Sequence, residues 1–178
     1  MFKSTKRALG SAVLACALSG ISSAQTGAGG GSQGRAPSEP ARPFVVMSKQ
    51  SLADLERKLH PAENKGEDLT GGAGMQLRVA VQHERDRPPS EAEVHDDSDD
   101  VYYVLEGRAT LTLGGKLEAP REVTPGEWRA ARIAGGRTVE ITKGDLVVVP
   151  RGTPHMRSTA GKDFHMILIK VFAEPLKQ

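Results

Sequence analysis

From Met75 onward, side-chain character alternates residue by residue. In MQLRVAVQHER, residues 75–85, Leu77, Val79, Val81 and His83 share one face, and Arg78, Ala80, Gln82 and Glu84 share the other. A period of two is that of a β-strand. Similar runs recur at Ala92–His95, Val101–Leu105, Ala109–Leu113, Thr138–Thr142, Asp145–Val149 and Phe164–Phe172. Glycines punctuate them at 107, 114–115, 135–136 and 144. Many short strands with frequent Gly and Pro turns predict an all-β sandwich or barrel. The spacing places one turn at Glu106-Gly107 and a hairpin at Gly114-Gly115. Residues 115–137 form a longer insertion holding Trp128, Arg129 and Arg132, a length that is often functional.

The chain before Met75 reads differently. Lys3, Lys6 and Arg7, an apolar run from Ala8 to Leu18, and Ser22-Ser23-Ala24 have the layout of a secretory signal. That run is too short to span a bilayer. The expected boundaries are a signal at 1–24, a flexible Gly/Ser/Pro tether at 25–43, and a folded domain at 44–178. Export to the periplasm or outside the cell follows. A lipoprotein with Cys16 acylated is the alternative. Phe44-Val45-Val46 suggests a short strand. LADLERKLH, residues 52–60, suggests a short helix capped by Ser51, ended by Pro61. NKGEDLTGGAG, residues 64–74, reads as loop.

Losing the signal removes three basic residues and no acidic one, so the formal charge falls from +2 to −1. No basic patch with interleaved aromatics is present, which argues against a nucleic-acid partner. After signal removal nothing suggests a membrane partner. Cys16 is the one cysteine and leaves with the signal, so neither a disulfide nor a cysteine nucleophile is expected in the mature chain.

Chemistry concentrates in AEVHDDSDDVYYVLEG, residues 92–107. Glu93 and His95 are two apart and point the same way on a strand. A tight connection would return Asp100 beside them. His155 follows a strand and a Pro/Gly turn in KGDLVVVPRGTPH. Two imidazoles and two carboxylates converging in a barrel would suit Fe, Mn, Zn or Ni as divalent ions. The competing reading is a wet acidic loop, which fits Asp96, Asp97 and Asp99 better than it fits Asp100. Four more side chains are candidates for the wall of a substrate pocket: His83, Tyr102, Trp128 and His165. Each has a plainer reading, the histidines as hydrogen-bonded core residues, Tyr102 as core and Trp128 as a loop anchor.

These residues resemble the cupin family. Its second motif, G-x5-P-x-G-x2-H-x3-N, is matched by Gly144, Pro150, Gly152 and His155, with Thr159 in place of Asn. Its first, G-x5-H-x-H-x4-E-x6-G, is matched in spacing by Arg87, Glu93, His95, Asp100 and Gly107. There Arg stands for the first Gly, Glu for the first His and Asp for Glu. The resemblance covers about residues 70–172. It implies a double-stranded β-helix, a small jelly-roll barrel with the site inside, and the short helix read above precedes it in the chain. It also implies that Glu93, His95, Asp100 and His155 are the metal-ligand positions, and that the protein is a homodimer. Carboxylate in place of imidazole shifts preference from Cu toward Mn, Fe or Zn. The expected function is that of an exported protein binding one divalent metal, a metalloenzyme of dioxygenase or isomerase type acting on a small molecule. Glu93 is a general base if it does not ligate. The alternative is a non-catalytic small-molecule or sugar binding or sensing module, since the fold alone does not decide.

Overall fold

The structure is a computed structural model that describes residues 40, 42–61, 64–89, 91–159 and 163–177. The expected signal and most of the expected tether lie outside the described residues. Helix α1 spans Lys49–Leu59. Its cap is Ser48, not Ser51: the Ser48 hydroxyl accepts from the Ser51 backbone N–H at 3.0 Å, closing one of the free donors of the first turn. Arg57 and Lys58 sit in the last turn, the favourable end of the helix dipole for cations.

Among the described residues twelve strands follow: β1 (Asn64–Thr70), β2 (Leu77–Glu84), β3 (Ala92–His95), β4 (Ser98–Leu113), β5 (Lys116–Leu117), β6 (Arg121–Thr124), β7 (Glu127–Ala130), β8 (Ile133–Ala134), β9 (Arg137–Thr142), β10 (Leu146–Val149), β11 (His155–Ser158) and β12 (Phe164–Phe172). One layer runs β1-β2-β12-β4-β10 and the other β9-β4-β11-β3-β7-β6, all antiparallel. β4 belongs to both, so the layers join as a double-stranded β-helix.

The expected break at Glu106-Gly107 is a bend inside one 16-residue strand. Gly107 has φ +80°, and a Cβ there would lie 2.0 Å from the Asp163 carbonyl oxygen. Position 107 therefore admits glycine without moving β12 or straining the backbone. The residues before the bend pair with β12 and β10, and those after it with β9 and β11. At Gly114-Gly115 the chain turns, but no hairpin forms on β4, because β5 pairs with β8 instead. Asn64–Thr70, read as loop, is a strand on the β2 edge. It carries little apolar content, and backbone pairing rather than burial makes it a strand. Phe44-Val45-Val46 is not a strand and is exposed.

Two cores result. Inside the barrel lie Tyr102, Val104, Leu111, Ile141, Phe164 and Met166 with their neighbours. Outside it, Leu55 and Leu59 of α1 cover Val81, with Leu69, Leu105 and Ile167 around them. Full burial of each such leucine contributes roughly 1.5–3 kcal/mol. The apolar face of β2, with Val81 and His83, is thus the helix-covered outside. Its more polar face, with Arg78, Gln82 and Glu84, looks into the barrel.

Candidate metal centre

The site sits on the inner faces of β3, β4, β7 and β11, with β2 and β12 opposite. Strand register assembles it. Glu93 pairs with Arg129 on one side and His155 on the other, and His95 pairs with Glu127. The Pro150–Gly152 turn is tied to the first motif. Gly152 N–H donates to the His95 carbonyl at 2.7 Å, and Asp99 accepts from Arg151 Nε and Nη2 at 3.0 and 2.9 Å.

One donor atom from each of Glu93, His95 and His155 lies within 4.8 Å of the others. Asp100 Oδ2 is 3.6 Å from His95 Nε2 and 3.9 Å from His155 Nε2. His95, Asp100 and His155 are buried, and Glu93 is partly so. All four residues of the predicted set come together.

The histidine tautomers follow from their outer partners. His155 Nδ1 lies 3.0 Å from the Thr153 carbonyl, which only accepts, so Nδ1 carries the hydrogen. Its Nε2 lone pair then faces the site, buried and without a hydrogen-bond partner among the described residues. His95 Nδ1 lies 2.7 Å from Glu127 Oε2, which orients that ring the same way. A buried lone pair left unpartnered is unfavourable by roughly 1–3 kcal/mol. A cation at the centre of these oxygen and nitrogen donors would satisfy it, and the carboxylate–histidine arrangement at His95 is one that metal sites use to fix a ligand ring. The residues present fit a divalent ion.

Each carboxylate divides its two oxygens. Glu93 Oε1 faces His155 Nε2 at 3.9 Å, while Oε2 meets Arg129 Nη2 at 3.1 Å. Asp100 Oδ2 faces the histidines and accepts from the Tyr102 hydroxyl at 3.2 Å, while Oδ1 accepts from Lys170 at 2.7 Å. Burial would raise the Asp100 pKa, but His95 and Lys170 outweigh it and hold the carboxyl well below its ordinary range. Burial alone would lower His95, and the Asp100 and Glu127 carboxylates reverse that to a net rise. For His155 burial prevails and the pKa falls, only partly offset by Glu93. Burial pushes the Tyr102 phenol up, keeping it a donor.

Of the four predicted wall residues, only Tyr102 lines the cavity of about 310 Å³ beside this cluster. His83 and His165 lie on the outer face of the barrel, under α1, with ring centroids 4.5 Å apart. His165 Nδ1 meets Glu56 of the helix at 3.3 Å. Their apolar strand faces pack on the helix, so they do not reach the cavity. Trp128 pairs with Val94 on the face opposite Glu127 and Arg129, and its Nε1 donates to Asp96 at 2.7 Å. It anchors the acidic loop. Asp96 and Asp99 are thus structural ties, and Asp97 is exposed.

Sequence alone does not mark Glu127, Arg129, Lys170, Arg157 and Glu84 as site residues. Alternation in GEWRA puts Glu127 and Arg129 on one face, and Arg157 lies two beyond His155. Neither pattern tells which strand will lie alongside. Arg157 is 7% exposed. Its Nε and Nη2 donate to Glu84 at 2.9 and 2.5 Å, and its guanidinium lies 5.1 Å from the Tyr102 ring centre.

No protein-family profile and no curated protein matches the sequence. Among solved structures, the fold is similar to a protein of Bacillus halodurans at 18% identity, covering 78% of this chain and 88% of that one with a TM-score of 0.51. A cupin superfamily protein of Desulfitobacterium hafniense aligns at 14% identity over 62% of this chain and 79% of that one, TM-score 0.44. A double-stranded β-helix protein of Klebsiella pneumoniae aligns at 16% over 64% and 76%, TM-score 0.45. The strand order, the bent β4 shared by both layers and the two motifs meeting inside them make this chain's fold the cupin-type double-stranded β-helix.

Proposed function

We propose that the protein binds one divalent metal ion in the barrel through His95, His155, Glu93 and Asp100, and acts as a metalloenzyme of dioxygenase or isomerase type on a small molecule. The observation that carries this reading is the buried, unpartnered His155 Nε2, aimed at the same space as Glu93 and Asp100 oxygens. A bound ion would supply Lewis-acid polarisation of a substrate oxygen at an open coordination position. The protein's own groups do the rest. Glu127 and the Thr153 carbonyl hold the two rings. Arg129 and Lys170 hold the outer oxygens of Glu93 and Asp100. Tyr102 keeps its proton and donates it to Asp100 as a hydrogen bond. Glu93, partly exposed to the cavity, is the carboxylate placed to take a proton if it does not ligate.

One observation favours a non-catalytic binding or sensing module instead. Glu93, Asp100 and Glu127 each have an oxygen engaged by a cation, as carboxylates held for structure and charge balance are. Elemental analysis of the protein purified from its own compartment separates the readings. Stoichiometric iron or manganese is expected for oxygen chemistry and zinc for Lewis-acid work. A metal-free protein would leave only the binding module.

Export and pairing as a homodimer complete the proposal. The mature chain is expected to begin at Gln25 and to sediment as a dimer at micromolar concentration. Retention of Met1, or a monomer alone, would count against these two points.

A further inference from the structure

Three imidazoles meet where α1 lies on the outside of the barrel. His83 of β2 and His165 of β12 stand in register on adjacent strands, with ring centroids 4.5 Å apart. His60, at the C-cap of α1, stacks on His83 at 5.4 Å and lies across the His165 ring at 6.2 Å. His83 is fully buried and His165 is 6% exposed. His165 Nδ1 lies 3.3 Å from Glu56 Oε2 of α1. That carboxylate only accepts, so Nδ1 carries the hydrogen. Nε2 is buried with no hydrogen-bond partner among the described residues. A neutral ring leaves a lone pair unbonded there. A cation would bury an N–H⁺ without an acceptor, which is less favourable still.

The charges around the cluster do little to relieve this. Asp163, just before β12, takes Arg85 through Nε at 2.5 Å and Nη2 at 3.0 Å and stands 3.4 Å from His83 Nε2. The half-exposed His60 has its Nε2 between Asp163 at 3.0 Å and Arg85 Nη2 at 3.3 Å, so attraction and repulsion meet there. Glu106 of β4 is in register with His165 and takes Lys143 at 2.6 Å. Lys65 of β1 is in register with His83. Asp163 and Glu106 are thus matched by basic side chains, and Glu56 is the main support for a charge on His165. Burial outweighs that support, the neighbouring imidazoles add to its effect, and the His165 pKa lies below its ordinary value.

We propose that this cluster makes the docking of α1 an acid-released clasp: protonation of His165 lifts the helix and leaves the barrel folded. With α1 docked, His165 is buried and keeps its neutral form. With α1 lifted, the ring is hydrated and takes a proton near the ordinary value of about 6.5. The lifted state therefore binds the extra proton. Docking weakens as pH falls below that value and levels off only when the docked ring titrates as well. Above it this group leaves docking independent of pH. The barrel keeps its own core, with Tyr102, Leu111, Phe164 and Met166, which α1 does not enter. Lifting α1 removes Leu55 and Leu59 from Val81, Leu105 and Ile167. Ile167 is in register with Tyr103, and Tyr103 with Leu146, and both of these are already exposed. The released form thus presents a continuous apolar face, the kind of surface that takes a partner.

The test is amide hydrogen exchange of the full chain, read by mass spectrometry from about pH 7.5 to about pH 5 and corrected for intrinsic exchange at each pH. One proton linked to opening changes its equilibrium about tenfold per pH unit. Opening of α1 is expected to rise by that factor below about pH 6.5, while β4 and β12 keep their protection. His165→Phe keeps a ring of similar size without the titrating nitrogens, and should flatten the slope. Glu56→Gln removes the carboxylate that steadies a His165 cation. It should enlarge the ratio of α1 opening between the two ends of the pH range. Glu56 is partly exposed on the helix, so this variant should fold, and it decides if His165→Phe does not. Opening of α1 that is independent of pH in wild type overturns the proposal, as does an equal loss of protection in β4 and β12. So does an unchanged slope in His165→Phe, or a ratio in Glu56→Gln no larger than in wild type.

Discussion

His155→Ala should abolish stoichiometric binding of a divalent ion, and His95→Ala should do the same. Each removes an imidazole whose inward nitrogen is fixed by an outer partner, Thr153 for one and Glu127 for the other. No other histidine among the described residues is near enough to substitute, since His60, His83 and His165 cluster on the outer face. Glu93→Gln and Asp100→Asn should weaken the ion without abolishing it, because an amide oxygen is a poorer ligand than a carboxylate. Glu127→Gln removes the charge that orients His95 and should weaken affinity by roughly 10–100-fold. Asp97→Asn should change little beyond a salt-screened attraction. Affinity should also fall as pH drops through the histidine range, because protons and the ion compete for the same nitrogens. Calorimetric metal titration across these variants is the measurement. Normal binding by His155→Ala, or a loss in Asp97→Asn as large as in His155→Ala, would move the site elsewhere.

The largest stability change is expected at Glu84. This carboxylate is 4% exposed and bonds both Arg157 and Arg87. Glu84→Ala strands the buried Arg157 guanidinium beside the Tyr102 and Phe164 rings without the carboxylate that holds it. Removing one partner of a buried pair costs about 3–5 kcal/mol, which lowers Tm by roughly 10–20 °C in a domain of this size. Arg157→Met should cost less, because Glu84 keeps Arg87, which is partly exposed. The order of the two variants, read by thermal unfolding, is the critical result. Equal losses would mean that Arg87 does not share the carboxylate. Burial alone would raise the Glu84 pKa, but the two arginines outweigh it and hold it below its ordinary 4.5. Its stabilisation is therefore complete above that value in wild type and is lost as pH falls through the lower folded value. Glu84→Ala should flatten that part of the acid-unfolding profile.

Sequence alone determined what depends on local backbone geometry. The period of two marked most of the strands, and the run Phe164–Phe172 matches β12 in both bounds. Alternation put Glu93 and His95 on one face because successive side chains must point to opposite sides. The spacing from Gly144 to His155 encodes strand, turn and histidine in order, and those residues meet the first motif as that spacing implies. Tertiary structure decided everything that depends on which strand lies next to which. Alternation in β2 identified its drier face, yet that face went to the helix, because the barrel interior here is a polar site and α1 supplies the apolar cover. His83 and His165 went with it. The hairpin expected at Gly114-Gly115 gave way to long-range pairing of β4 with β9 and β11. β1 is a strand by virtue of the β2 edge it pairs with. Arg129, Glu127 and Lys170 became partners of the site by register across strands, which no local pattern contains, since backbone pairing between distant segments is chosen by the burial and hydrogen bonding of the whole sheet.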